Sequence, residues 1–368
     1  NAGILNSNEF NAPFYYVSNV TIFPFTAPTV RLSGGPPPLV PPSVTAPSGN
    51  QRYLDPAARN PFSRTWSLEI QHAISSSSLF SIAYVGVSGN RLLMASNINA
   101  AQPGATAPAP RRPYGAAIAE VRELSNTANS IYHGLEARFE RRFTHGFNLL
   151  GSWTWSKSLD DQSNGTDNVA ASGQYPQDPL HPELDRGLSS FDRSQVLVAS
   201  AVWEIPFRRD GWRVLRAAAA GWQLSGILTV ETGPPFSVLM ACADVNADGN
   251  NCRPNRLASG ALPDNRQSIA KWFDTAAFAI PSPRAWGNAG RNILRGPGNV
   301  NLDFGIARSI ALAPDSGKRR LQLRGEFFNA LNHANFGLPQ ASIDSPAFGS
   351  ITNSAPARQI QLGARLEF

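Results

Sequence analysis

Apolar and polar residues alternate one by one along many short stretches of this chain, most strictly at its end. From Arg358 to Phe368, the residues Ile360, Leu362, Ala364, Leu366 and Phe368 fall on one face, and Gln359, Gln361, Gly363, Arg365 and Glu367 on the other. A period of two means a strand with one apolar and one polar surface. Between Asn299 and Leu312, Val300, Leu302, Phe304, Ile306 and Ile310 oppose Asn301, Asp303, Gly305 and Ser309. Leu321, Leu323 and Phe327 oppose Gln322, Arg324 and Glu326, while Phe147, Leu149, Trp153 and Trp155 oppose Asn148, Ser152 and Thr154. Trp66, Leu68 and Ile70 oppose Ser67, Glu69 and Gln71. Between Arg193 and Phe207 the pattern is less clean, because Val196, Val198 and Val202 share the otherwise polar face.

The pattern predicts about ten strands, at 14–22, 62–73, 78–88, 129–143, 145–157, 193–207, 221–240, 299–312, 319–332 and 357–368. Their connections alternate in length. Segments 23–61, 89–128, 158–192, 241–298 and 333–356 are long; 74–77, Thr144, 208–220 and 313–318 are short. A sandwich with one buried and one wet face also alternates along its strands, but has no reason to keep this parity of loops. An antiparallel transmembrane β-barrel does, with long extracellular loops and short periplasmic turns. Aromatic residues agree: Phe143, Phe147, Phe207, Trp222 and Phe368 fall at the short-turn rim, and Trp66, Trp153 and Trp155 toward the other.

Composition changes this picture little. No run of about 18 apolar residues exists, which excludes a conventional transmembrane helix. A barrel hides its apolar residues at every second position, so the mildly polar mean hydropathy of −0.22 does not oppose it. The net charge of +6 raises nucleic acid as a partner, but Arg and Lys are dispersed along the chain, so none is expected. No Gly-x-Ser-x-Gly elbow, His-Glu-x-x-His pair or phosphate-binding loop occurs, so the chain is read as a non-enzyme without a cofactor.

Cys242 and Cys252 lie in the longest predicted loop, on the outer side, where an oxidising compartment favours a disulfide. Between them, Asp244, Asn246 and Asp248 with Gly249 match the first half of a calcium loop. The twelfth position is Asn255 instead of a bidentate Glu, which favours an ordinary Asp/Asn/Gly turn.

Several segments resemble the barrel of Oar-like TonB-dependent receptors of Gram-negative bacteria. They are Asn60-Pro-Phe-Ser-Arg-Thr-Trp-Ser-Leu-Glu-Ile-Gln71, Trp222-Gln-Leu-Ser-Gly226, Thr232-Gly-Pro-Pro-Phe236, Gly290-Arg-Asn-Ile-Leu-Arg-Gly-Pro297, Arg324-Gly-Glu-Phe-Phe-Asn-Ala-Leu-Asn-His333 and the terminal strand. The resemblance implies an outer-membrane transporter with a plugged lumen, driven by an energy-transducing complex of the inner membrane. Nothing in the chain resembles the plug or a signal segment, and such barrels have about 22 strands. Residues 1–368 are therefore expected to be the C-terminal part of a longer barrel. Glu136, Arg138, Glu140, Asp303, Arg324, Glu326, Arg365 and Glu367 are candidates for the lumen face, lining a substrate path or touching a plug. Ile360, Leu362, Leu366 and Phe368 resemble the terminal signal that barrel-insertion machinery recognises. Two rival expectations remain: an adhesion or interaction barrel without transport, and a soluble β-sandwich binding protein. The substrate class stays open among siderophore, oligosaccharide and peptide.

Overall fold

The computed structural model describes residues 14–16, 49–163, 175–206, 220–241, 252–312 and 319–368. Asp244, Asn246, Asp248, Cys242 and Phe207 lie outside them. In chain order the strands are β1 (Phe14–Tyr16), β2 (Gly49–Leu54), β3 (Phe62–Ser75), β4 (Ser78–Asn97), β5 (Ile118–Thr144), β6 (Phe147–Asp160), β7 (Gly187–Leu188) and β8 (Gln195–Glu204). They continue as β9 (Trp222–Glu231), β10 (Pro235–Phe236), β11 (Asn255–Arg256), β12 (Phe278–Ala279), β13 (Leu294–Arg295), β14 (Asn299–Ala311), β15 (Arg320–Phe328) and β16 (Gln359–Glu367).

The long strands form one antiparallel meander, β3-β4-β5-β6-β8-β9-β14-β15-β16, in which each pairs with the next. That order places the connections after β4, β6, β9 and β15 at one end and those after β3, β5, β8 and β14 at the other. The expected parity holds for these eight connections; the strand expected at 14–22 does not join the meander, because β1 pairs with β2 instead of β3. The sheet is open: β3 and β16 end it without pairing to each other.

The register explains why the alternation was so regular. Trp153 pairs with Ala137 and Leu197, which leads through Val230 to Val300, so one apolar row crosses β5 to β14. Gly325 and Leu362 pair, as do Leu323 and Ala364, continuing the same face to the last strand. Leu68, Ile70, Leu362 and Leu366 are all more than half exposed. Among the described residues no other part of the protein covers this face, so its partner is lipid, once the chain stands in a membrane.

Strand lengths depart from the expectation in instructive ways. β4 and β5 run far past 88 and 129, reaching Asn97 and Ile118. The loop predicted over 89–128 is mostly a tall hairpin, whose alternation was masked where the register shifts between Gly89 and Leu92. β5, with 27 residues, spans about 90 Å at ~3.3 Å per residue, whereas β6 pairs with it only from Ser130 onward. The upper arm packs Met94, Ala95, Leu124 and Ala128 inward. β2, in a stretch predicted as loop, adds to this arm in parallel. β9 ends at Glu231 rather than 240, because Pro234 and Pro235 lack the N–H a ladder needs. β15 ends at Phe328 because Asn329 and Asn332 adopt left-handed φ of 50° and 51°. The turn predicted at Thr144 is His145-Gly146, with φ of 54° and 81°. Two successive positive φ values make a two-residue hairpin turn whose twist matches the strands.

Candidate substrate-binding surface at the loop end

The four connections at the long-loop end are one packed layer. Its apolar centre is Phe273, 1% exposed, whose ring lies 5.6 Å from Phe236, 6.0 Å from Phe278 and 5.2 Å from Phe348. Those rings come from the connections after β9 and β15. Trp272 adds a hydrogen bond from its indole N–H to the Arg295 carbonyl at 2.8 Å.

Buried ion pairs lock this centre to the connection after β6. Asp185, 3% exposed, accepts from Arg253, and its other oxygen accepts from the Gln177 N–H at 3.0 Å. Asp192, 2% exposed, accepts from Arg295 at 2.5 Å and from the Ser158 N–H at 2.7 Å. Arg291 binds the Asp160 carboxylate and donates through Nε to the Asp185 carbonyl at 2.5 Å. Arg186 holds Asp161 at 2.7 Å, and Asp161 in turn accepts from the Asn129 N–H of β5. A buried carboxylate is tolerated only when paired and hydrogen-bonded, so each of these pairs prescribes one loop arrangement. Tyr175 ties the same layer to the β5 arm. Its hydroxyl donates to Glu120 at 2.6 Å and accepts from Arg122, and burial, then the Glu120 charge, pushes its pKa up.

A cleft of about 350 Å³ opens where this layer meets the strand ends. Arg193, Glu231, Asn299, Asn335, Phe336 and Asn353 are among its walls. Glu231 pairs in register with Val196 and Asn299, at the top of the polar face. Arg193 Nε stands 3.6 Å from Glu231. Asn335 is a structural clamp: Oδ1 accepts from the Val300 N–H at 2.9 Å and Nδ2 donates to the Val300 carbonyl at 3.0 Å. Amide donors and acceptors, a guanidinium, a carboxylate and one aromatic ring can hold a polar ligand. Among the described residues, no group of three or more His, Cys, Asp or Glu could hold a metal ion.

The register puts Glu136, Arg138, Glu140, Asp303, Arg324, Glu326, Arg365 and Glu367 together on the polar face, opposite the apolar rows. They form separate pairs rather than one site. Arg138 meets Glu140 at 3.0 Å, Arg324 meets Glu326 at 3.3 Å, and Arg365 meets Glu367 at 3.3 Å. Asp303 instead accepts from the Asn329 N–H at 3.0 Å and shapes the turn after β15. Val196, Val198 and Val202 do face this side, opposite Glu231, Thr229 and Ser225, and Ile227 lies diagonal to Val198 and Val202, so β8 carries an apolar patch within the polar face. Ile360, Leu362, Leu366 and Phe368 are all exposed, Phe368 at 95%. Cys252 is fully buried and disulfide-bonded.

Sequence reasoning missed the loop-layer pairs, though two of their members were in view. Arg291 and Arg295 stand in the Gly290–Pro297 segment, and both reach buried aspartates. The Thr232–Phe236 segment meets it directly: a Cβ on Gly233 would collide with the Gly296 carbonyl. Gly233 is thus needed because two backbones touch, whereas a Cβ on Gly296 would meet the Leu338 side chain.

The family model of the outer membrane beta barrel domain matches residues 1–361, and the chain belongs to that family. It resides in the bacterial outer membrane. No curated protein sequence matches it. Among solved structures it is similar to the outer membrane transporter YddB from Escherichia coli, at 9% identity and a TM-score of 0.49, over 87% of this chain and 34% of that one. It is also similar to BauA, the ferric preacinetobactin receptor from Acinetobacter baumannii (12% identity, TM-score 0.40, 83% of this chain and 29% of that one). A third is the ferripyoverdine receptor of Pseudomonas aeruginosa (10% identity, TM-score 0.41, 83% and 27%). The chain spans about a third of the length of these proteins.

Proposed function

We propose that the chain is the C-terminal barrel portion of a TonB-dependent transporter that takes up a large polar substrate and performs no catalysis. The observation that carries this reading is the cleft between Glu231, Asn299 and Asn353, set in a rigid loop layer directly above a polar sheet face. The apolar patch around Val198 and Ile227 supports it, because a domain filling the lumen would cover that patch. The open edges at β3 and β16 fit a piece of a wider barrel, since lipid does not tolerate an unpaired edge. In this reading the long loops face outward, Cys252 pairs with Cys242, and the substrate is a siderophore, oligosaccharide or peptide. The test is accumulation of labelled compounds of those three kinds in cells carrying or lacking the intact gene, with the inner-membrane proton gradient present or collapsed. Gradient-dependent uptake of one of them is expected. If adhesion alone differs between the strains, the chain belongs to an interaction barrel instead.

The terminal strand serves assembly in this proposal. Deleting Phe368 from the intact protein should sharply reduce barrel in the outer membrane and leave its synthesis and export unchanged. Undiminished heat-modifiable barrel in the deletion strain would make Phe368 an ordinary closing residue.

A further inference from the structure

Two arginines at the loop-side rim of the apolar face point to a specific lipid contact. The ring of Phe62, on β3, has the guanidinium carbon of Arg64 5.0 Å from its centroid and that of Arg91 5.6 Å away. Both arginines are exposed, and neither is ion-paired among the described residues. Arg64 shares the face of Trp66, Leu68 and Ile70 through the strand's period of two. Arg91 reaches that face by a costlier route. Between Gly89 and Leu92 the β4–β5 register shifts, and Arg91 takes a left-handed φ of 55°. A bulge re-aims a side chain, and a non-glycine residue pays for that backbone with strain. Here the outcome is a second guanidinium on one exposed ring.

The surroundings say what meets it. One rung nearer the apolar band, Trp66, Tyr84 and His133 form an aromatic cluster. The Tyr84 hydroxyl is 2.7 Å from His133 Nδ1 and accepts from the Trp66 indole at 3.4 Å. The Trp66 ring lies over Gly86, where any Cβ would strike the indole. Below follow Leu68, Ile70 and Ile82, all exposed. The order of cations, amphipathic rings and apolar side chains is that of headgroup, interface and acyl chain.

The far rim fixes the scale. Arg141 lies over Phe147 at 5.5 Å and Arg308 over Trp222 at 5.3 Å, near the short-turn end. Arg64 pairs with Ser88 and Arg141 with Ser78, so the two rims are ten residues apart along β4. That is about 33 Å of strand, or about 25 Å of height at a tilt of about 40°, the thickness of an outer-membrane apolar band. Arg64 and Arg91 therefore stand at the headgroup level of the loop-side leaflet.

We propose that Arg64 and Arg91 form a docking site for a lipid of that leaflet whose headgroup is a phosphate monoester, with Phe62 as the platform that orients both guanidiniums. Each guanidinium is a planar fork that suits phosphate oxygens, and the two stand 5.0 Å and 5.6 Å from the centroid of one ring, while Trp66, Leu68 and Ile70 would take the chains. The site rests on the membrane location of this face and not on transport, so the two proposals fail separately.

The test uses the intact protein in phosphatidylcholine nanodiscs containing a minor share of phosphatidic acid, with retained lipids identified by native mass spectrometry. The wild type should retain phosphatidic acid in preference to phosphatidylcholine. Replacing both arginines (R64Q with R91Q) should lower that retention about tenfold, with heat-modifiable migration unchanged. Should the pair disturb the barrel, R91Q alone, at the bulge, is expected to give a smaller loss in the same direction. Equal retention by wild type and variants, or no lipid preference in the wild type, would overturn the site. Complete displacement by inorganic phosphate would overturn it as well, by showing that only the free anion is read.

Discussion

The membrane sheet and the loop layer above it are built on opposite plans. In the sheet, large apolar side chains point outward and stay exposed, as Leu362 does at 80%; in the loop layer, Phe273, Val238 and Cys252 are buried as in a soluble core. Charges are inverted too. Arg–Glu pairs on the sheet are solvent-exposed and repeat within single strands, whereas Arg–Asp pairs of the loops are buried and join distant segments. The sheet needs only its backbone ladder and a period of two. The loops, without a continuous ladder, depend on individual side chains to stay in place. The difference teaches that removing one side chain should be felt locally in the loops and through the bilayer in the sheet.

The largest effect should come from Arg253→Met. It leaves the Asp185 carboxylate buried without its cation, at a cost of about 3–5 kcal/mol to the loop layer. Limited proteolysis of the membrane-embedded protein should then cut within 175–192, while the sheet remains heat-modifiable. Adding Asp185→Leu should restore resistance, since an apolar pair can replace a buried ion pair. If the single variant cuts no faster, the loops do not rely on this pair.

Leu228→Arg tests the other plan. Leu228 pairs with Ala199 and Leu302 in the middle of the apolar face, where a guanidinium costs about 2–4 kcal/mol. Less folded barrel in lipid vesicles is expected, measured by urea titration, with no new cleavage in the loops. The same substitution at Gln223, on the polar face, should be nearly silent; if both behave alike, the faces are misassigned.

Trp272→Phe is the smallest and sharpest probe. It keeps an aromatic ring, though a smaller one, and removes the indole N–H that bonds the Arg295 carbonyl, leaving that acceptor short of a partner. A loss of about 1 kcal/mol is expected, seen as a modest rise in amide exchange around Leu294 and Arg295. No change would mean that the aromatic packing around Phe273 alone holds this segment.

The motif segments were legible in the sequence, but their reasons were not. Gly233 and Gly296 are some sixty residues apart in the chain and touch in space. The tall β4–β5 hairpin was hidden because the bulge at Asn90 and Arg91 shifts the phase of the alternation, so the outer strand halves look like loop. β2 carries no mark of its parallel pairing, because partner choice there is set by the β5 arm rather than by its own residues.

The sequence by itself determined which residues share the apolar face, the central part of each long strand and on which end the long connections fall. These follow from a period of two and from antiparallel neighbours, both local properties of the chain. Only the tertiary structure decided which aspartate meets which arginine, where the cleft opens and why two guanidiniums share Phe62. Those contacts join residues from separate loops or across a phase shift, and no spacing along the chain encodes a distance between segments that meet only after folding.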